Sequence, residues 1–173
     1  MQFLILGLLL DGPLSLYDVR KRFAAGISLF YAASFGSIQR ALGQLESRGW
    51  VTRVDADDSR RRKKLYVIDG SGRRAWREWM LSPVTGSDPE PTMLAKVYLL
   101  GSLPAADRGD CVRMLRERIA ADADRLVSLA AELDEAEIPG DVREVYGYRR
   151  ATLDHGIRAQ ALTARWLDEL ETS

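Results

Sequence analysis

The sequence predicts a mainly α-helical chain in two unlike halves, with one two-stranded β-sheet in the first half. Apolar residues recur at the three- and four-residue spacing of amphipathic helices over most of the chain. They alternate with polar residues in two short runs, 50–54 and 64–68, which predict two strands. Residues 82–91 hold three prolines and a glycine, which disfavour helix and strand, so we expect the halves to meet there.

Two helices open the first half. Residues 3–10 are apolar and are followed by Asp11-Gly12-Pro13, which predicts a short buried helix. No basic residue precedes this run, and it is far shorter than the ~20 residues that span a bilayer, so neither a secretion signal nor a membrane anchor is expected. Ser15 begins a second helix, whose apolar face is formed by Leu16, Val19 and Phe23.

A third helix is expected from about Ser34, whose hydroxyl can cap its first turn, until Gly49 stops it. Its inward face carries Ile38, Leu42 and Leu45. The polar residues left on the outward face are Ser37, Gln39, Arg40 and Gln44. Glutamine can pair with adenine and arginine with guanine in the major groove of DNA, which admits an α-helix. Any soluble helix has a polar face, so an ordinary surface is the alternative interpretation.

The two predicted strands form a hairpin with a strongly charged tip. Five consecutive basic residues close the tip and open the second strand: Arg60, Arg61, Arg62, Lys63 and Lys64. After residues 69–72, a fourth helix places Ala75, Trp76, Trp79 and Met80 on one side. The order of three helices, two strands and a helix is that of a winged helix-turn-helix domain, with the hairpin as its wing.

Charge is unevenly distributed, although the whole chain is neutral. Residues 1–82 carry 14 Lys and Arg against 8 Asp and Glu, whereas residues 83–173 carry 11 against 17. A cationic hairpin beside a helix-turn-helix can reach along the phosphates of double-stranded DNA. We therefore expect DNA contacts from the wing and from the third helix, including Ser34.

The second half is predicted to be helical and to dimerise. Apolar residues beyond Val112 alternate at three- and four-residue spacing, and a final helix follows residues 139–141. At ~1.5 Å per residue this helix would be about 45 Å long, which overhangs so small a domain, so we expect a second copy to cover it. The candidate dimer residues are Val145, Tyr146, Leu153, Ile157, Ala161, Ala164, Leu167 and Leu170.

Several motifs of the first half resemble those of a known family. They are LGLLLDGPLSLYDV at 6–19, SFGSI at 34–38, AL at 41–42, LE at 45–46, GWV at 49–51 and KLY at 64–66. Together with the arginine-rich wing they resemble the PadR family of bacterial transcriptional regulators over about residues 3–80. The resemblance implies a dimeric winged-helix repressor or activator with its dimer contact in the C-terminal helices. The second half is similar in layout to the subfamily with an extended helical C-terminal region.

The chain departs from the family pattern in the third helix. The family usually has Tyr-Pro after the Gly-Ser-Ile motif, where this chain has Gln39-Arg40. The family's tyrosine contact cannot be carried over, so a different DNA preference is expected. Some members are similar in using the terminal-helix region for aromatic or cationic ligands, which makes Trp166 and Leu162 candidates for a small aromatic effector site. Ordinary core packing is the alternative for both.

These patterns divide the chain into a winged-helix DNA-binding domain at 1–82, a proline-rich linker at 83–92 and a helical dimerisation domain at 93–173. The lone Cys111 and the single His155 exclude an internal disulfide and a Cys/His zinc cluster, and no nucleophile or phosphate-loop motif indicates an enzyme. We expect a cytoplasmic dimeric regulator, a repressor on a pseudo-palindromic operator, without cofactor or metal. The alternatives are a protein-interaction module and a ligand sensor, both without DNA binding.

Overall fold

The computed structural model describes residues 1–55 and 64–170, which form seven α-helices and two strands. These are α1 (Gln2–Leu9), α2 (Leu16–Ala25), α3 (Phe35–Ser47), β1 (Val51–Asp55), β2 (Lys64–Ile68), α4 (Gly70–Met80), α5 (Glu90–Tyr98), α6 (Ala105–Glu135) and α7 (Arg143–Glu169). Short 3-10 turns lie at Ile27–Leu29, Leu100–Ser102 and Gly140–Val142. The mainly α-helical winged-helix order expected from the sequence is confirmed. Within the two described ranges, no helix combines the length and the hydropathy needed to cross a bilayer.

The first helix lies at the centre of the hydrophobic core, as its uniformly apolar sequence predicts. Five of its side chains are at most 5% exposed: Leu4, Ile5, Leu6, Leu8 and Leu9. It contacts α2, α3, α4 and β2. Burying side chains of this size is worth ~1.5–3 kcal/mol each, so α1 holds the surrounding elements together.

The second helix begins at Ser15, as the sequence predicts, and its first turn is closed by a capping box. The backbone N–H of Asp18 donates to the hydroxyl oxygen of Ser15 (3.2 Å), and the backbone N–H of Ser15 donates to the Asp18 carboxylate (3.0 Å). Two N–H groups at the start of the helix are thereby paired.

The hairpin is antiparallel, with Val51 opposite Ile68 and Asp55 opposite Lys64. The first strand begins one residue later than the alternation predicts, because the N–H of Trp50 donates to the carbonyl of Leu45 (3.0 Å) and closes the turn after α3. At the outer edge of β2, Tyr66 exchanges two backbone hydrogen bonds with Leu14 (2.8 and 3.2 Å). The base of the hairpin is therefore fixed to the loop that connects α1 and α2.

The chain divides into two compact units, Met1–Cys111 and Val112–Ser173. The first unit continues past the proline-rich segment, because Ala95, Leu99, Leu103 and Cys111 are buried in the same hydrophobic cluster as α1. The sequence places the boundary at 83–92, before this contribution. Whether residues 1–82 fold as an independent domain stays a prediction.

In the second unit, α6 and α7 form an antiparallel pair. Arg150 donates to Asp134 at one end (2.8 Å), and Arg116 pairs with Asp168 at the other (2.8 Å). Between them the helices approach closely at Gly156, where an added Cβ would lie 3.1 Å from a methyl carbon of Leu126.

We expect Gly72→Ala to destabilise the protein. A Cβ at this position would overlap the backbone carbonyl oxygen of Trp50, which cannot rotate away as a side chain could. The expected loss is about 1–3 kcal/mol in the free energy of unfolding, measured by urea denaturation.

Gly43→Ala is the matched control for this prediction. Gly43 lies in the exposed middle of α3. Apart from its chain neighbours and the adjoining helix backbone, no atom of the described residues would lie within 4 Å of a Cβ there. Glycine costs ~1 kcal/mol relative to alanine inside a helix, so this variant should gain stability. Equal changes in the two variants would contradict the close packing at Gly72.

Candidate functional site

The candidate site is the outward face of α3, which the core fixes in orientation. Its opposite face is fully buried, with Ile38 at 1% exposure and Leu42 and Leu45 at 0%. Gln39 and Arg40 point away from this core and are exposed. Across residues 1–55 and 64–170 the structure gives neither side chain a hydrogen bond or an ion pair, so both are available to a ligand.

Two predicted contact residues, Ser34 and Ser37, form the N-terminal cap of α3. The N–H of Ser37 donates to the hydroxyl oxygen of Ser34 (3.1 Å), and the hydroxyl of Ser37 donates to the carbonyl oxygen of Ser34 (2.7 Å). The hydroxyl proton of Ser34 is not used by the cap and can still be donated to a phosphate. That of Ser37 is already used, which leaves Ser37 less suited to an anion.

The fourth polar residue of the helix, Gln44, is exposed but not free. Its amide oxygen accepts from the amide nitrogen of Gln2 (2.6 Å), and the amide oxygen of Gln2 accepts from Arg48 (3.1 Å). The Arg48 guanidinium lies 5.0 Å from the ring centroid of Trp50. Sequence reasoning missed Gln2 and Arg48, because no local pattern connects Gln2 with a residue 42 positions away.

The predicted wing is described only at its base. Arg60, Arg61, Arg62 and Lys63 lie outside the described residues, whereas Lys64 is exposed at the start of β2. On β1, Arg53 forms an ion pair with Glu46 near the end of α3 (3.3 Å). The hairpin therefore leaves the core beside α3, on elements that α1 holds in place.

The winged-helix order and the exposed polar face of α3 agree with a family match. Residues 5–78 match the transcriptional regulator PadR-like family, and residues 92–172 match the family described as virulence activator alpha C-term. Residues 5–78 are a PadR-like transcriptional regulator domain. The family resemblance predicted from the sequence motifs is therefore confirmed.

Two curated relatives of this chain are named as transcriptional regulators. The negative transcriptional regulator PadR of Bacillus subtilis is 28% identical over 113 residues, or 64% of this chain, and the match spans less than two thirds (62%) of that protein. The probable transcriptional regulator Rv1176c of Mycobacterium tuberculosis is 27% identical over 163 residues, covering 89% of this chain and 86% of the relative.

A solved structure offers a weaker likeness. The crystal structure of Bacillus subtilis PadR in complex with operator DNA is 23% identical and covers 98% of this chain and 96% of its own, with a TM-score of 0.46.

The predicted dimer residues, on α7 and at its C-terminal end, differ in exposure. Val145 (50% exposed) and Ala161 are exposed, whereas Leu167 is fully buried. Leu167 therefore has no surface left in the single chain to offer a partner. The half-buried members of the set are Tyr146, Leu153, Ile157, Ala164 and Leu170.

Most of the predicted dimer residues line two clefts between α6 and α7. A cleft of about 550 Å³ is lined by Tyr146 and Leu153, together with Leu129, Leu133 and Arg149 of the same unit. A second cleft, of about 340 Å³, is lined by Ile157, Ala161 and Ala164, together with Ile119, Ala120 and Ala123. The antiparallel pair thus presents apolar grooves that its own side chains do not fill.

The candidate effector residues Trp166 and Leu162 lie one turn apart on α7. Trp166 is half-buried, and Leu162 is 62% exposed. Neither lines the two clefts described above. Their role in binding a ligand stays a prediction.

A buried lysine of the first unit has no signal in the sequence. Lys96 is 1% exposed and donates to the carbonyl oxygens of Met80 (3.3 Å) and Ser82, at the end of α4. Its ammonium lies 5.4 Å from the ring centroid of Trp79. Burial lowers the pKa of Lys96. This side chain ties α5 to the C-terminus of α4, where a cation is favoured.

We expect Ser34→Ala to lower the free energy of unfolding by ~1 kcal/mol, because the N–H of Ser37 loses its acceptor. Ser34→Asp should retain most of the stability, since aspartate is an equally good N-cap residue. Chemical denaturation of the two variants beside the natural chain measures both effects. If alanine and aspartate were equally damaging, the cap would not be what serine contributes here.

Proposed function

We propose that this protein is a dimeric DNA-binding repressor that recognises a pseudo-palindromic operator through α3 and the basic wing. The observation that carries the proposal is the outward face of α3, where Gln39 and Arg40 are exposed while the opposite face is locked in the core. Glutamine and arginine on such a helix match base edges in the major groove. The PadR-like domain supports a role as a transcriptional regulator. The Bacillus subtilis relative is a negative transcriptional regulator, which favours repression over activation.

Phosphate contacts supply most of the affinity in this proposal. The N-terminus of α3 presents the Ser34 hydroxyl and the positive end of a helix dipole, both of which suit a phosphate. The five consecutive basic residues at 60–64 add further positive charge to the same half of the chain. Together we expect roughly six to ten phosphate contacts per dimer.

Dimerisation is proposed through the clefts between α6 and α7. A second copy would bury the apolar lining of both clefts and the exposed side chain of Val145. It would also set two copies of α3 in successive major grooves, with half-sites ~34 Å apart.

The proposal places the protein in the cytoplasm, where bacterial DNA is found, and gives it no enzymatic role. A small aromatic effector that changes operator affinity is a further part of it, with Trp166 and Leu162 as candidate contacts. The apolar aromatic surface of Trp166 is the feature that would suit such a ligand.

The proposal is tested by selecting the fragments of random DNA that the protein binds. The affinity for the best-bound fragment is then measured over a series of salt concentrations. Binding should weaken steeply as salt rises, because each phosphate contact releases counterions. A winged helix without DNA binding would select nothing and show weak, salt-indifferent affinity for all DNA. A ligand sensor that does not bind DNA would also show no DNA binding, but a small aromatic compound would stabilise it against heat.

Substitutions should separate phosphate contacts from base contacts. Arg61→Ala is expected to weaken binding to operator and random DNA by a similar factor and to reduce the salt slope by about one. Gln39→Ala or Arg40→Ala should mainly lose discrimination, by ~1–3 kcal/mol at the contacted base pair. Equal losses on operator and random DNA for all three variants would rule out this division of roles.

A charge in the cleft lining should separate the protomers. Ala161→Glu places a carboxylate at a position that is exposed in the single chain, so the monomer should still fold, while the dimer should dissociate in sedimentation experiments. Charged residues at Leu153 and Ile157 should do the same at an additional cost in stability. The control is His155→Glu, an exposed position of α7 outside the predicted set. A dimer that survives Ala161→Glu would place the interface elsewhere.

A further inference from the structure

A short chain of hydrogen bonds runs along one edge of α3. Arg48 donates from its guanidinium to the amide oxygen of Gln2 (3.1 Å), and the amide nitrogen of Gln2 donates to the amide oxygen of Gln44 (2.6 Å). Arg48, at the far end of this series of hydrogen bonds, packs over the face of Trp50, with its guanidinium carbon 5.0 Å from the ring centroid. The N-terminal turn of α1 is thereby connected to a side chain on the outward-facing helix.

The chemistry of arginine decides which way both amides point. A guanidinium has only donors, so the group of Gln2 that faces Arg48 must be its oxygen. The amide nitrogen of Gln2 then faces Gln44. Because this nitrogen is a donor, the atom of Gln44 that it meets must be the amide oxygen. The orientation of an amide is assigned through its partners, and here the series begins at a residue that cannot accept.

Gln44 consequently offers its amide nitrogen to the surroundings. The two N–H groups of this nitrogen have no acceptor in the part of the chain that the structure describes, and the side chain is exposed. Gln44 follows Arg40 by one helical turn, so the two side chains lie on neighbouring parts of the same face. At positions 40 and 44, α3 therefore presents donors.

We propose that Gln2 is a positioning residue that sets which base Gln44 recognises, which rests on the proposed function. An amide that reads adenine uses its oxygen to accept from N6 and its nitrogen to donate to N7. The oxygen of Gln44 is directed at Gln2 and not outward beside its nitrogen, so that bidentate pair is lost. The outward N–H groups instead match guanine, which offers two acceptors in the major groove, and oppose cytosine, which offers only a donor. The adenine pairing expected from the sequence is replaced by a preference for guanine.

The deciding variant is Gln2→Glu, which changes one atom of the side chain. A carboxylate at position 2 still accepts from Arg48 but cannot donate to Gln44. Gln44 should then turn its nitrogen toward position 2 and its oxygen outward, where it accepts from cytosine or adenine. At one base-pair position the selected base should change from guanine to cytosine or adenine, with a swing of ~5–10-fold in relative affinity.

Two further variants isolate this effect. Gln39→Glu adds the same charge to the exposed face without contacting Gln2. It should weaken binding and alter discrimination at the base pair that Gln39 contacts, but leave the preference at the Gln44 position unchanged. In a Gln44→Ala background, Gln2→Glu should no longer alter base preference, because no amide remains to be turned. Both are measured by selection from random DNA and by titrating operators that differ at the single position.

A measurement without DNA tests the hydrogen bonds themselves. In ¹⁵N-labelled protein, the side-chain N–H of Gln2 that donates to Gln44 should exchange with water more slowly than the side-chain N–H groups of Gln44. Gln2→Glu should slow the exchange of the Gln44 amide. Rapid exchange of the Gln2 amide in the natural chain would overturn the assigned orientation.

The outcomes distinguish this inference from the proposed function. If the natural chain selects an operator but Gln2→Glu leaves every base preference unchanged, the positioning role is wrong and the regulator stands. If the natural chain binds no DNA, the proposed function fails and the specificity role falls with it, even where the exchange rates confirm the bonds. A change of the selected base, lost in the Gln44→Ala background, supports both.

Discussion

The burial of α1 on all sides is the constraint on which the first unit depends. Its side chains from Leu4 to Leu9 are out of water, so α2, α3, α4 and β2 must each turn an apolar surface toward it. Leu99, at the end of α5, also packs against α1. The two are so close that a Cβ added at Gly7 would lie 2.6 Å from Leu99. For α3 the consequence is direct, because fixing Ile38 and Leu42 inward leaves Gln39 and Arg40 outward. The presented surface is thus a product of the core.

Contacts at the edges of that core add precision to the surface. The cap at Ser34 fixes the first turn of α3, and the Leu14–Tyr66 bridge fixes the base of the hairpin. The ion pair of Arg53 with Glu46 is exposed and worth only ~0–1 kcal/mol, so it orients more than it stabilises. A surface that is rigid before binding loses less entropy on binding, which suits a site that must distinguish bases.

The second unit has the opposite character, because its helices leave apolar surface uncovered. The ion pairs at the two ends of the α6–α7 pair are partly exposed and contribute little, while the clefts between the helices are lined mainly by alanine, leucine and isoleucine. Burial of such surface is the main source of association energy in proteins. A pair of helices built in this way is incomplete alone, which is the physical basis for proposing a second copy.

The sequence by itself determined the kind and order of the elements, because helix, strand and turn follow from spacing within a few residues. The inward face of α3 was predicted from the helical spacing of Ile38, Leu42 and Leu45. The strand that contains Tyr66 was predicted from the alternation of apolar and polar residues. Only the tertiary structure brought Leu99 and Cys111 into the first core, buried Leu167, placed Lys96 at the end of α4 and joined Gln2 to Gln44. These contacts join residues far apart in the chain, and no local period records which distant groups will meet.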